Sequence, residues 1–235
     1  MLDAILEATA HPRKQFVVYR GADETDLESW FARHGVDVTH RVLPPGGPAP
    51  FLAIREDGKF TGVLPVESVE GLLEPPIARP GDRSDVSAGY RALFEVLDET
   101  TFATMERSEL LAVSREIEDR ALRVGRGTLR VSFQQLSAFE PQAAIYRYLA
   151  RETALDIHVH GVEDWTPPAI DGVTYHGDDD SELDQYWTLA FDGGGDDTQA
   201  CALLAREESD GYRGCWTNDP ERVQEILSAL RARGT

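Results

Sequence analysis

The chain has 235 residues, is 41% hydrophobic and carries a formal net charge of −19; that suits one large globular domain, or a domain with a smaller companion, and excludes a disordered tail. Only two of its 23 basic residues, Lys14 and Lys59, are lysines. So acidic a surface fits a cytoplasm at molar salt, where charges are screened within about 3 Å, and it argues against nucleic acid, which needs basic patches.

The segment MLDAILEATA carries Asp3 and Glu7, so it reads as a short amphipathic helix and not a signal peptide. No run approaches the roughly 18 apolar residues of a membrane span. Residues 16–19 (FVVY) read as a strand, 26–34 as a short helix closed by Gly35, and 36–42 as a second strand. The rigid turn PPGGPAP follows. Residues 51–55 and 60–64 flank Asp57-Gly58, a hairpin signal, and a helix over 66–73 ends before Pro75-Pro76. Residues 1–76 thus form a small α/β subdomain and 77–85 a linker; the remainder, 86–235, is a second domain.

That second domain opens with a helix over 86–99, leading through TTFATM to a longer one over 106–124. Leu110, Val113, Ile117, Ala121 and Val124 recur there at helical spacing and make one apolar stripe. Arg115, Glu116, Asp119, Arg120 and Arg123 take the other side, with Glu116–Arg120 and Asp119–Arg123 as acid-then-base pairs one turn apart. Gly125 stops the helix. Leu129, Val131 and Phe133 then alternate with Arg130, Ser132 and Gln134, as in a strand with one apolar face. Pro141 marks the start of a helix carrying Ile145, Tyr148 and Leu149, and Leu155, Ile157 and Val159 alternate with Asp156, His158 and His160. Strand, helix, strand at this spacing is a right-handed crossover between parallel strands.

Residues 171–177, 186–191, 200–206 and 212–217 read as further strands, and Asp219-Pro220 opens a final helix with Val223, Ile226, Leu227 and Leu230 inward. Cys201 and Cys215 lack CxxC spacing and read as buried thiols of a reducing compartment. FLAIREDGKFTGVL (51–64) echoes LLAREESDGYRGCW (203–216), and GVDVTH (35–40) echoes ALDIHV (154–159). Either two half-copies of one βαβ-ββα plan are present, or two hairpins share a pattern by chance.

No phosphate-binding glycine loop, GxSxG, HExxH or paired CxxC is present, and no nucleophile sits in sequence context with a base; an enzyme is not expected. The constellation Asp156-x-His158-x-His160 points to one face, beside Arg130, Ser132 and Gln134 across the parallel pairing. Three readings stand for it. It is a solvated side of the sheet, a polar ligand pocket covered by a helix, or a metal site, for which His176 is the one further ligand in view. For a pocket, Arg115 and Trp216 are the rim contributors.

The succession SELLAVSREIEDRA, LRVSFQQLSAF, IYRYLA…LDIHVHGV, YWTLAF and ALLARE…YRGCWTNDPERVQEIL over roughly residues 106–231 resembles the DICT sensory domain, named for diguanylate cyclases and two-component systems. The resemblance implies an α+β fold around a mainly antiparallel sheet, flanked by helices. It also implies a non-catalytic sensory role, in light response among others, without a cofactor or ligand that carries over; the lack of signal-peptide and membrane-span patterns reads as cytoplasmic. No cyclase, phosphodiesterase or kinase segment accompanies it here, so output passes to a partner chain such as a histidine kinase, a cyclase or a transcription regulator. The alternative is a ligand-free interaction or dimerisation module.

Overall fold

The structure, a computed structural model, describes residues 1–8, 14–21, 31, 37–56, 58–66, 101–178 and 182–232. The helices expected over 26–34, 66–73 and 86–99 and the linker at 77–85 lie wholly or almost wholly outside these residues. The described elements are helix α1 (Leu2–Ala8), strands β1 (Lys14–Arg20), β2 (Asp37–Val42), β3 (Phe51–Glu56), β4 (Lys59–Pro65) and β5 (Thr101–Met105), helix α2 (Arg107–Val124) and strand β6 (Arg126–Gln135). Helix α3 (Ala143–Glu152), strands β7 (Ala154–Val162), β8 (Val173–Asp178), β9 (Tyr186–Phe191), β10 (Cys201–Glu208) and β11 (Gly211–Thr217), and helix α4 (Pro220–Arg231) complete them.

The strands form two mixed sheets, a smaller one in the order β2-β1-β3-β4 and a larger one in the order β5-β11-β10-β9-β6-β7-β8. In the larger sheet β6–β7 and β7–β8 are parallel and every other pairing is antiparallel. The architecture is therefore α+β, mainly antiparallel, with the β6-α3-β7 crossover that the spacing predicts. One strand escaped the sequence reading: residues 101–105, taken there as a lead-in to the helix, pair with β11 as an edge strand.

Local chemistry sets the boundaries. Glu106 and Glu109 close a capping box on α2, with the Glu106 amide donating to Glu109 Oε2 at 2.7 Å. Gly125, at φ 71°, turns left-handed and returns its N–H to Ala121 O at 2.8 Å. Asp219 caps α4, with Pro220 in its first turn. Pro141, expected as the first helical residue, instead sits inside a 3-10 turn over Leu136–Gln142, and α3 begins at Ala143.

Helices α2 and α3 cover one face of the larger sheet, where Leu129, Val131, Ile157, Val159, Leu189, Phe191 and Leu203 are completely buried. Leaving that face in water would forfeit about 25 cal/mol per Å². Phe16, Val18, Leu52 and Ile54 of the smaller sheet belong to the same buried cluster. Helices α1 and α4 pack on each other, and α4 rests on β9 and β10 on the opposite face, around Ala190, Ala202, Leu204 and Cys215.

The two sheets share a plan. In each, a strand pairs in parallel with the next strand in sequence on one side (β1–β2, β6–β7) and antiparallel with the first strand of a hairpin on the other (β3–β4, β9–β10). The hairpin equivalent to 51–65 is therefore 186–208, not the 203–216 that the sequence echo selects. That echo is a likeness of turns.

Candidate functional site: a polar half of the larger sheet

Strand register carries two rows of side chains across the face opposite α2. One runs His176, His160, Ser132, Thr188, Leu204 and Cys215; the next runs Thr174, His158, Arg130, Ala190, Ala202 and Thr217. Under α4 the rows are apolar. Over β6, β7 and β8, and at Thr188 of β9, they are polar; Ser132, His160 and Thr188 are completely buried and Arg130 is 6% exposed.

Arg130 donates through Nη1 to His160 Nε2 at 3.1 Å. A guanidinium has no acceptor, so His160 is neutral with its proton on Nδ1. Burial, reinforced by His176, Arg130 and His158, pulls the His160 pKa down to about 3. The His160 and His176 rings stack with centroids 4.4 Å apart. His176 Nε2 lies 2.9 Å from His158 Nδ1, and His158 Nε2 lies 2.9 Å from Asp156 Oδ2. With His158 neutral, its Nε2–H donates to the acceptor-only carboxylate and its Nδ1 accepts from His176. The chain of groups runs from the exposed Asp156 carboxylate through a part-buried His158 to a sealed end at His160 and Arg130.

At the sealed end Arg130 Nε, Ser132 Oγ, His160 Nδ1 and Thr188 Oγ1 are buried without a hydrogen-bond partner among the described residues. Such groups are rare in folded proteins and each costs about 1–3 kcal/mol. Among the described residues no group of three or more His, Cys, Asp or Glu is arranged to hold a metal ion.

The structure brings Arg130, Ser132, Asp156, His158 and His160 together and sets three other sequence candidates apart. Gln134 leaves the register, because a bulge separates Ser132 from Gln135 and Gln134 adopts φ 71°; its amide donates to Asp184 O at 3.2 Å and to Glu207. Arg115 lies on α2, across the sheet, bonded to Glu118 and Gln142. Glu118 is completely buried and also accepts from Tyr146 Oη at 2.8 Å; burial pushes its carboxyl up against the pull of Arg115 and Tyr146. The charged side of α2 is thus not solvated: Arg115, Glu116, Glu118 and Arg120 are all buried. Trp216 packs on Phe102 with ring centroids 5.8 Å apart and lines a separate cleft. Sequence reasoning passed over Thr188. Its signal was alternation within YWTLAF, which opposes Thr188 to Trp187 and Leu189.

Comparison with known proteins places the chain. The sequence profile of the sensory domain in diguanylate cyclases and two-component system, DICT, matches residues 90–208. No curated protein matches. Among solved structures, a polyphosphate kinase from Porphyromonas gingivalis aligns with a TM-score of 0.38 and 12% identity, over 99% of this chain and 48% of the kinase. The chain thus spans about half the length of that enzyme, and so distant a likeness says nothing of function.

Proposed function

Because the chain belongs to the DICT family of sensory domains, we propose that it is a non-catalytic input protein in which a small polar ligand acts on Arg130, Ser132, His158, His160 and Thr188 and the resulting change of shape is read by a separate signalling protein. A histidine kinase, a cyclase or a transcription regulator is the partner class. The observation that supports this is the set of four unpartnered polar atoms in a sealed row of the sheet. Each raises the free energy of this state, so an occupant or rearrangement that pairs them binds the altered state better, which is what a population shift requires. Light is the other stimulus that the family resemblance raises.

The test is to release small molecules from purified protein by denaturation, identify them by mass spectrometry and record the absorption spectrum before release. The wild type retains a polar ligand that His158→Leu and Ser132→Ala lose without change in circular dichroism. Visible absorption instead of a polar ligand turns the reading to light. Neither one, with both variants behaving as wild type, defeats the sensor reading. A second reading, a ligand-free interaction module, draws support from Phe60 and Val63 on edge strand β4 and Val42 on edge strand β2, which are 64%, 52% and 66% exposed.

A further inference from the structure

His160 of β7, Ser132 of β6, Thr188 of β9 and Leu204 of β10 are register partners in turn across the sheet. Neighbouring strands stand about 4.8 Å apart. Two short hydroxyl side chains therefore occupy the interval between an imidazole and a leucine, both of which reach further from the sheet. Arg130, two residues before Ser132 on the same face, extends to this row and sets its Nη1 3.1 Å from His160 Nε2.

The polar atoms left over share one chemistry. Arg130 Nε–H and His160 Nδ1–H can only donate, and the Ser132 and Thr188 hydroxyls can each turn a proton outward. Four donors are thus available to an acceptor, and none of them has one among the described residues.

Charge selects the acceptor. A guanidinium keeps its charge inside a protein, and Arg130 is 6% exposed with a neutral imidazole as its hydrogen-bond partner and no ion pair among the described residues. Of the charges that act on it, Arg231 is a second cation, and Asp156 stands at the far end of the histidine chain with its side chain 68% exposed. A water molecule would meet the same four groups but leave the buried cation without a counter-charge, which is costly. An organic acid needs more room than two short side chains leave.

We propose, resting on the sensory reading above, that the ligand of this row is a small monovalent inorganic anion of chloride size, held by Arg130, Ser132, His160 and Thr188. The anion supplies the missing counter-charge and accepts from donors on three adjacent strands.

The test takes the full chain dialysed into potassium gluconate, whose anion is too large for the row, and titrates it calorimetrically with potassium chloride and potassium bromide at constant ionic strength. Both halides bind saturably with 1:1 stoichiometry. Thr188→Val keeps the shape and removes the hydroxyl, and Ser132→Ala removes the other; each weakens chloride binding at least about tenfold. Ser132→Asp places a carboxylate beside Arg130 and abolishes the response. Absence of saturable halide binding overturns the proposal, and so does a Thr188→Val variant that binds chloride like the wild type. An organic ligand recovered by mass spectrometry and lost in Ser132→Ala also overturns it, while leaving the sensory reading in place. Halide binding that leaves amide hydrogen exchange unchanged throughout the chain supports the anion site and removes the sensory reading instead.

Discussion

Arg130 on β6 donates to Nε2 of His160 on the parallel neighbour β7, 3.1 Å away, and so holds a buried imidazole neutral. The interaction consumes one ring nitrogen and leaves the other, a donor, facing protein without a partner.

The pH dependence of stability follows in sign. His160 takes its proton near 6.5 in the unfolded chain and near 3 when folded. Its folded pKa is depressed, so between those values the unfolded state binds more protons. Stability is then lost as pH falls through that window, by up to roughly 1.4 kcal/mol per pH unit. Glu116 and Glu118, whose carboxyls are raised by burial, act in the opposite direction, so the contribution of His160 is read as a difference. Urea unfolding at pH 7, 6 and 5 gives a shallower dependence in His160→Gln than in wild type. Equal slopes would mean that His160 protonates as readily folded as unfolded.

The buried group on α2 sets a second expectation. Arg115→Met leaves the completely buried Glu118 with Tyr146 alone and costs about 3–5 kcal/mol. Tyr146→Phe removes a hydrogen bond to a charged acceptor and costs about 1.5–3 kcal/mol. Arg115→Met combined with Glu118→Leu recovers part of the loss, since no charge is then stranded. A loss below about 1 kcal/mol in Arg115→Met, on denaturant unfolding, would contradict a structural role for the pair.

Two glycines at echoing positions should behave differently. A Cβ on Gly214 would run into Leu204 O, Ala205 Cα and the Phe102 ring, whereas one on Gly62 meets nothing within 4 Å. Gly214→Ala is expected to cost about 1–3 kcal/mol by overpacking. Gly62→Ala is neutral or slightly stabilising, through the lost freedom of the unfolded chain. Similar thermal shifts for both would remove the distinction.

With a formal charge of −19, self-repulsion opposes the compact state at low ionic strength. Raising KCl from 0.1 M to 3 M is expected to raise the unfolding midpoint, measured by calorimetry. A midpoint independent of salt would show that the acids are compensated where they stand.

The alternating strands were readable because period-2 patterns show through directly: Leu129 to Phe133 and Leu155 to His160 lie as their polarity orders them, in parallel register. What could not be read depends on the third dimension. Residues 101–105 lack strong alternation and become a strand only because β11 offers an edge. The charged side of α2 carries no sign of burial in its spacing, yet Arg115 and Arg120 are buried there, bonded to Gln142 just before α3 and to Asn218 just after β11. Of the site, the placing of Arg130 and Ser132 beside His158 and His160 was legible from the crossover. Gln134 was misplaced because one bulge shifts every later residue to the other face. Trp216 and Arg115 were misplaced because spacing along the chain does not say which side of a sheet a distant element covers.

The pairing of β5 with β11 governs how the chain can reach this structure. The crossover β6-α3-β7 joins neighbours in sequence and can form early. Thr101 lies opposite Cys215, so β5, at one edge of the sheet, must wait for a hairpin made much later in synthesis, and contacts so far apart along the chain form slowly. In the interval Phe102, destined for the pocket beside Gly214 and Trp216, is an unfilled apolar anchor on an unpaired strand. Such a segment is the place where nascent chains aggregate or recruit a chaperone.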